Sequence, residues 1–156
     1  NHAGEISAQG LYQGQALTAR LPQVRRQMHL AALEEIDHLA WCRARLDALD
    51  GRPSYFDPFW YLGSLAIGAT AGAIGDAWSL GFIAETERQV SHHLSLHLKR
   101  LPATDQISAA ILRQMQIEEL SHEAAAVDAG AQVLPKWLQN LMGLTSKIMV
   151  TTAARF

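Results

Sequence analysis

Two short stretches of the chain repeat one arrangement of metal-binding side chains. The sequences "EEIDH" at 34–38 and "EELSH" at 118–122 each contain Glu-x-x-His, as Glu35 with His38 and Glu119 with His122. In a helix, residues three apart project from one face, so each pair can offer a carboxylate oxygen and an imidazole nitrogen to one point. A single Glu-x-x-His is common on solvated helix surfaces, but two matched pairs favour a shared metal site.

Two lone glutamates match these pairs in spacing. Glu5 precedes Glu35 by 30 residues and Glu87 precedes Glu119 by 32 residues, as if one helical hairpin occurred twice. All of these side chains fall on apolar helical stripes, where carboxylates repel one another unless cations balance them. Two divalent cations would balance the four carboxylates. We therefore predict six metal ligands, which are also the catalytic residues: Glu5, Glu35, His38, Glu87, Glu119 and His122.

This ligand set is the one that ferritin-like helical bundles use for a carboxylate-bridged metal pair. Carboxylate oxygens together with imidazole nitrogens fit iron or manganese. Glu34 and Glu118 directly precede the two motifs, and each could accept a hydrogen bond from a ligating imidazole and fix its tautomer. The alternative for both is a surface charge. We expect His93 beside the site or at an exposed helix end, and Tyr12 as a packed core aromatic.

The elements that must position these side chains are all helical. Proline-free stretches rich in Ala, Leu, Gln, Glu and Arg alternate with short breaks, and no alternating strand pattern competes. The pattern predicts helices at 3–19, 22–49, 58–100 with an interruption near its glycines, 103–129 and 134–152. The predicted fold class is all-α, a ferritin-like four-helix bundle in a single domain over residues 1–156, with extra apolar and amphipathic helical segments that associate with a membrane.

Composition narrows the classes of function. A content of 49% hydrophobic residues supplies a sizeable core, and a formal net charge of -2 argues against nucleic acid as a partner. Cys42 is the only cysteine, which excludes an internal disulfide framework. Because the chain begins at Asn1 rather than Met and shows no leader, we expect that a segment could precede it.

Two segments are predicted to contact a membrane without crossing it. Residues 58–75 carry no charged side chain but many glycines, which favours a close-packed or membrane-dipping helix. Gly68 and Gly72, four residues apart, can let two helices approach closely. Residues 134–156 combine apolar side chains with Lys136, Lys147 and Arg155, as an interfacial helix does, although a helix docked on the bundle has the same pattern.

Several of these stretches resemble one known family. The sequences "NHAGE", "LYQGQALTARL", "EEIDHLAWC", "GFIAETERQVSHH" and "EELSH" are similar to the bacterial form of the 5-demethoxyubiquinone hydroxylases, nearly end to end. The chain departs from many members at Asn1 and from some at Ser7, Gln9 and Gly10. The resemblance implies a di-iron monooxygenase with the same six ligands, which hydroxylates the quinone ring of a prenylated demethoxyubiquinone with O2 in late ubiquinone biosynthesis.

The same resemblance implies the surroundings of the enzyme. We expect two Fe ions as cofactor, NADH as reductant, and a peripheral place on the cytoplasmic side of the inner membrane, in contact with lipid. For protein partners two alternatives stay open: a homo-oligomer, or an association with other ubiquinone biosynthesis proteins. Two other functions compete: a ferritin-like ferroxidase or iron-binding protein, and a non-catalytic helical scaffold on a membrane.

Overall fold

The chain folds into six helices. A computed structural model describes residues 1–155, and no strand occurs among them. This confirms the all-α prediction. The predicted long helix over 58–100 is divided at Gly75 into two helices, as its glycines indicated. The helices are α1 (His2–Thr18), α2 (Pro22–Ala48), α3 (Asp57–Ile74), α4 (Asp76–Arg100), α5 (Gln106–Asp128) and α6 (Lys136–Ala153).

Local chemistry decides where α5 begins and ends. The Asp105 side chain accepts a hydrogen bond from the Ser108 backbone N–H at 3.0 Å, so the helix starts three residues later than the sequence predicted. At the other end Gly130 has a φ of 98°, a conformation that suits glycine and stops the helix. Ala129, the last residue of the predicted helix over 103–129, therefore lies outside the helix and is exposed.

Helices α1, α2, α4 and α5 form the bundle, and its interior is layered. One apolar cluster includes Met28 of α2, Ile83 of α4 and Ala126 of α5. A second cluster, farther along the same helices, includes Cys42 and Met115. Between these clusters each helix passes through one or two buried or nearly buried polar side chains. The predicted ligands thus occupy a polar layer enclosed by apolar layers on both sides.

Helix α3 lies outside the bundle, in close contact with α1. A Cβ atom added at Gly68 would meet the carbonyl oxygen of Leu11, and one at Gly14 would meet that of Leu65. Glycine on both helices therefore permits a backbone approach that any larger residue would block. Helix α6 packs near α1 and α4, and a third apolar cluster that contains Phe82 of α4 and Leu134 joins it to α4.

The apolar segments do not form a membrane span. Within residues 1–155, no helix combines the length and the apolar character that crossing a bilayer requires. This agrees with the sequence-based expectation for residues 58–75. Both α3 and α6 instead carry exposed apolar side chains, among them Phe59, Leu62, Trp137, Leu144 and Ile148.

Candidate metal centre

The six predicted ligands meet in the middle of the bundle as two overlapping groups. Each group offers one ligand atom per residue, and the atoms of a group lie within 4.8 Å of one another. Glu35 and Glu119 belong to both groups, whereas Glu5 and Glu87 each belong to one. The first group is Glu5, Glu35, His38 and Glu119; the second is Glu35, Glu87, Glu119 and His122. The arrangement could therefore hold two cations with two carboxylates between them.

The distances show which atoms face the shared space. His38 Nδ1 lies 3.3 Å from Glu119 Oε1, 3.4 Å from Glu35 Oε2 and 3.6 Å from Glu5 Oε2. His122 Nδ1 lies 3.5 Å from Glu87 Oε1 and 3.6 Å from Glu119 Oε2. In both histidines the same ring nitrogen, Nδ1, points at the carboxylates, so two equivalent imidazole donors are available.

Several of these buried atoms have no hydrogen-bond partner within residues 1–155. They include both carboxylate oxygens of Glu35, Glu119 Oε2, and the Nδ1 atoms of His38 and His122. Glu35 and His38 are fully buried, at 0% exposure. Unpaired buried polar groups cost about 1–3 kcal/mol each, and more when they are charged. Such a set of orphaned donor atoms fits metal ions, which would coordinate all of them at once.

Without a metal ion, bound protons balance the charges of the carboxylates in this buried layer. Burial raises the pKa of Glu35 and of Glu87 well above the ordinary carboxyl value, and neighbouring carboxylates raise both further. For His122, burial lowers the pKa, but the carboxylates of Glu119 and Glu87 outweigh it and raise the value to about 11. Protons therefore hold positions in this layer that divalent cations could occupy.

Glu34 and Glu118 contact the histidines, but across helices rather than within their own motifs. Glu118 on α5 lies 2.6 Å from Nε2 of His38 on α2. Glu34 on α2 lies 2.5 Å from Nε2 of His122 on α5. Each carboxylate can accept a hydrogen bond from the Nε2–H group, and this tautomer leaves the Nδ1 lone pair directed at the centre. The predicted hydrogen bonds are present, and the crossed pairing also links α2 to α5.

Tyr12 has a contact that sequence reasoning missed. It is fully buried, as predicted, but its hydroxyl also donates a hydrogen bond to Glu87 Oε1. Tyr12 lies two turns after Glu5 on the same stripe of α1, and this position was the available signal. The tyrosine orients a carboxylate that belongs to only one of the two groups.

The other nearby candidates are not part of this constellation. The rings of His93 and His97 are tilted by 56° with their centroids 4.0 Å apart, and His93 Nε2 is buried without a hydrogen-bond partner within residues 1–155. Among residues 1–155, His93 makes no hydrogen bond or ion pair with the six converging side chains. Asp37, which directly precedes His38, is exposed. The hydrogen-bonded surroundings of the centre are thus Glu34, Glu118 and Tyr12.

An apolar groove of about 300 Å³ runs beside the centre. Gly4 and Ala8, which flank Glu5, form part of one wall; Thr86 and Val90, which flank Glu87, form part of another. The remaining walls come mainly from α3 and α6, and none of the lining residues within 1–155 carries a charged side chain. A mainly apolar pocket with a few hydroxyl and amide groups is typical of a small-molecule site.

Comparison with known proteins assigns the family. Residues 1–153 match the family described as "Ubiquinone biosynthesis protein COQ7". The chain is 56% identical over 156 residues to the 3-demethoxyubiquinol 3-hydroxylase of Xanthomonas campestris pv. campestris (strain 8004), with 100% of this chain and 72% of that protein covered. The protein of that name from Cupriavidus metallidurans is 57% identical over 155 residues, covering 99% of this chain and 75% of the relative.

A third relative with this name, from Polynucleobacter asymbioticus, is 53% identical over 155 residues, with 99% of this chain and 74% of the relative covered. The name describes the same enzyme as the demethoxyubiquinone hydroxylase that the sequence motifs resemble, in different wording. The recognition made from the motifs is confirmed. Because the family match extends over nearly the whole chain, this protein belongs to the COQ7 family of ubiquinone biosynthesis proteins.

Proposed function

We propose that this protein is an O2-dependent di-iron hydroxylase, which adds one hydroxyl group to the ring of a prenylated demethoxyubiquinol. The observation that carries the proposal is the pair of overlapping four-residue groups that share Glu35 and Glu119. The names of the relatives support the reaction, because they specify hydroxylation of this substrate class. The ligands in this proposal are Glu5, Glu35, His38, Glu87, Glu119 and His122.

The residues fit two iron ions on chemical grounds. Carboxylates and imidazoles are the ligands that iron takes in such bundles, and four carboxylates would neutralise two ferrous ions. When bound, the iron pair supplies the redox chemistry that activates O2. The protein's part is to orient the ligands through Tyr12, Glu34 and Glu118, and to keep bulk water out with the apolar layers above and below.

The apolar groove is the proposed place of the prenylated ring. Its walls contain sequence neighbours of Glu5 and Glu87 together with residues of α3 and α6, whose outer faces expose apolar side chains. A lipid-soluble substrate could therefore pass from a membrane surface into the groove without crossing water. We propose a peripheral location on the cytoplasmic side of the inner membrane. NADH is the proposed reductant, and a homo-oligomer or other ubiquinone biosynthesis proteins are the proposed partners.

A single-turnover experiment tests this function. Protein reconstituted anaerobically with ferrous iron is mixed with a short-chain demethoxyubiquinol and heavy-isotope O2, and the product is identified by mass spectrometry. One heavy oxygen atom in a hydroxylated ring is the expected result. Ferric iron with no hydroxylated product would favour a ferroxidase, and failure to bind stoichiometric iron would favour a non-catalytic scaffold.

Replacing Tyr12 with phenylalanine is expected to weaken the second group of ligands while the fold persists. The substitution removes only the hydroxyl that donates to Glu87 Oε1. Loss of such a supporting hydrogen bond typically costs about 10–100-fold in metal affinity or activity. Titration with Co(II), followed by its visible absorption, would measure the affinity. Tyr61→Phe is the matched control, because that hydroxyl bonds to Gln13, which is outside both groups. Equal effects from the two variants would contradict the role of Tyr12.

Metal affinity is expected to rise with pH. Without metal, His122 keeps its proton up to a pKa of about 11. A metal ion needs the neutral imidazole, so binding must displace that proton, and below this pKa each pH unit strengthens binding by up to about tenfold per displaced proton. Co(II) titrations at about pH 6.5 and about pH 8 would measure the difference in metal affinity. An affinity that stays constant between them would show that the displaced groups are already deprotonated.

Removing apolar side chains from the outer face of α6 is expected to release the protein from membranes. Leu144 and Ile148 are 56% and 51% exposed and lie one turn apart outside the groove. An apolar side chain of this size contributes roughly 1.5–3 kcal/mol when it is buried in the lipid interface, and its replacement by Asp removes that contribution. The affinity of L144D/I148D for vesicles, measured by cosedimentation, should therefore fall by more than tenfold, because about 1.4 kcal/mol corresponds to a factor of ten. The control is L30D/L33D on α2, where both leucines are also exposed.

A further inference from the structure

A second cavity lies at the end of the bundle where α2 and α4 terminate. Its volume is about 520 Å³, which is within the range of small-molecule sites. The start of α1, the end of α2 with the segment after it, the end of α4, the start of α5 and the end of α6 all contribute to its walls. We call it the basic cavity because three arginines and two histidines line it, which are Arg45, Arg52, Arg100, His2 and His97.

The charge of the lining is one-sided. Three arginines and two histidines line this cavity, and none of its lining residues within 1–155 is an aspartate or a glutamate, although the whole chain has more acidic than basic residues. Arg45 is held in place by Asp105 at 2.8 Å and by Ser108 at 2.8 Å. Arg52 and Arg100 are exposed at the wall, and neither makes an ion pair with a carboxylate of residues 1–155. Two guanidinium groups are thus available to a ligand.

Arg52 is positioned rather than freely extended. Its Nη1 donates to the Tyr55 hydroxyl at 3.3 Å, and its guanidinium carbon lies 5.2 Å from the centre of the Tyr55 ring. A guanidinium held in this way loses less conformational freedom when it binds an anion. The planar fork of arginine matches the oxygens of a phosphate group, with which it forms charge-assisted, often bidentate hydrogen bonds.

The interior of the cavity is mainly apolar. Leu46, Ile111, Leu112 and Val150 are among its lining residues. Gly4 precedes Glu5, and Cys42 lies one turn after His38, so the inner wall is built from neighbours of two proposed ligands. The groove described for the prenylated ring has no charged lining residue. The two cavities therefore differ in chemistry and suit different molecules.

We propose that the basic cavity is a binding site for a phosphate-bearing molecule, whose phosphate contacts Arg52 and Arg100 and whose less polar part enters towards Cys42. The phosphate can belong to a soluble nucleotide or to the headgroup of an anionic lipid, because the arginines recognise the same chemical group in both. Among residues 1–155 the basic cavity shares Gly4 alone with the apolar groove, and its arginines line only the basic cavity, so this inference stands without the proposed reaction.

Binding of ADP to the iron-loaded protein under anaerobic conditions is the first test, measured by calorimetry. The iron content is measured before and after titration, so that chelation by the nucleotide is distinguished from binding. The variant R52A/R100A is expected to weaken ADP binding by about tenfold or more, since a hydrogen bond to a charged group contributes about that factor. R26A is the matched control: Arg26 is also exposed but lies near the other end of α2, roughly 30 Å from Arg45 along the helix.

The lipid source is tested with phosphatidylcholine vesicles that do or do not contain phosphatidylglycerol. If the nucleotide is the ligand, ADP binding depends on the arginine pair. If the lipid headgroup is the ligand, ADP does not bind, and the extra cosedimentation caused by phosphatidylglycerol is lost in R52A/R100A but kept in R26A. The proposal is overturned if neither probe binds, or if R26A reduces binding as much as the double variant does.

Discussion

Glu35→Ala is expected to abolish both the metal pair and turnover. Glu35 is one of two carboxylates that belong to both four-residue groups, so its loss removes a ligand from each proposed ion. Loss of a residue that only supports a ligand typically lowers metal affinity or activity by about 10–100-fold. Loss of a shared ligand should therefore lower the hydroxylation rate by about 100-fold or more. The iron content after anaerobic reconstitution and the single-turnover yield are the measurements.

Two other glutamates separate the role of Glu35 from a general effect of losing a buried carboxylate. Glu5 belongs to one group only, so Glu5→Ala should keep one ion while hydroxylation is lost. Glu85 is also buried, but its carboxylate is engaged by Arg88 and Gln89 and belongs to neither group. Glu85→Ala should therefore keep both ions. Two tightly bound ions in Glu35→Ala would refute the six-ligand proposal.

Gly68→Ala is expected to give a large loss of stability away from the metal layer. The added Cβ would lie against the carbonyl oxygen of Leu11 and 2.9 Å from its carbonyl carbon, both in the α1 backbone. A backbone cannot rotate away as a long side chain can, so α1 and α3 must separate. Overpacking of this kind typically costs about 1–3 kcal/mol of unfolding free energy. Urea denaturation would measure the loss.

Gly63 on the same helix provides the matched control. A Cβ added there meets nothing within 4 Å, so Gly63→Ala should be neutral or stabilise by about 0.5–1 kcal/mol through helix propensity. The displacement of α3 in Gly68→Ala should also disturb the apolar groove, because Trp60, Ser64 and Ile67 line it. Equal stability of the two variants would show that the α1–α3 contact is looser than the structure indicates.

The polar layer could be predicted because it depends on helical periodicity. A residue on an inward stripe of a helix stays inward however the helix is later packed, so Glu35 and His38 could be assigned to the interior from spacing alone. The identity of the donor groups then limits the chemistry to hard cations. The motifs around these residues also carry the family resemblance, which the comparisons confirm.

The partners of the outward residues could not be predicted in the same way. Glu34 and Glu118 each flank a histidine in sequence, yet each contacts the histidine of the other motif, because the rotation and height of α2 against α5 decide which side chains meet. The Tyr12 hydroxyl reaches Glu87 for the same reason: α1 and α4 are 75 residues apart along the chain at this contact. Periodicity determines which face a side chain occupies, but only packing determines its neighbour.

The sequence by itself thus determined the helical class, the inward position of the six candidate ligands and the family, because all three depend on local pattern and residue type. Tertiary structure decided the sharing of Glu35 and Glu119, the crossed hydrogen bonds and the position of α3 on α1. It also decided the basic cavity, whose walls come from segments separated by up to the length of the chain. The distances between such segments depend on how the side chains of the whole core pack together, and no single stretch of sequence contains that information.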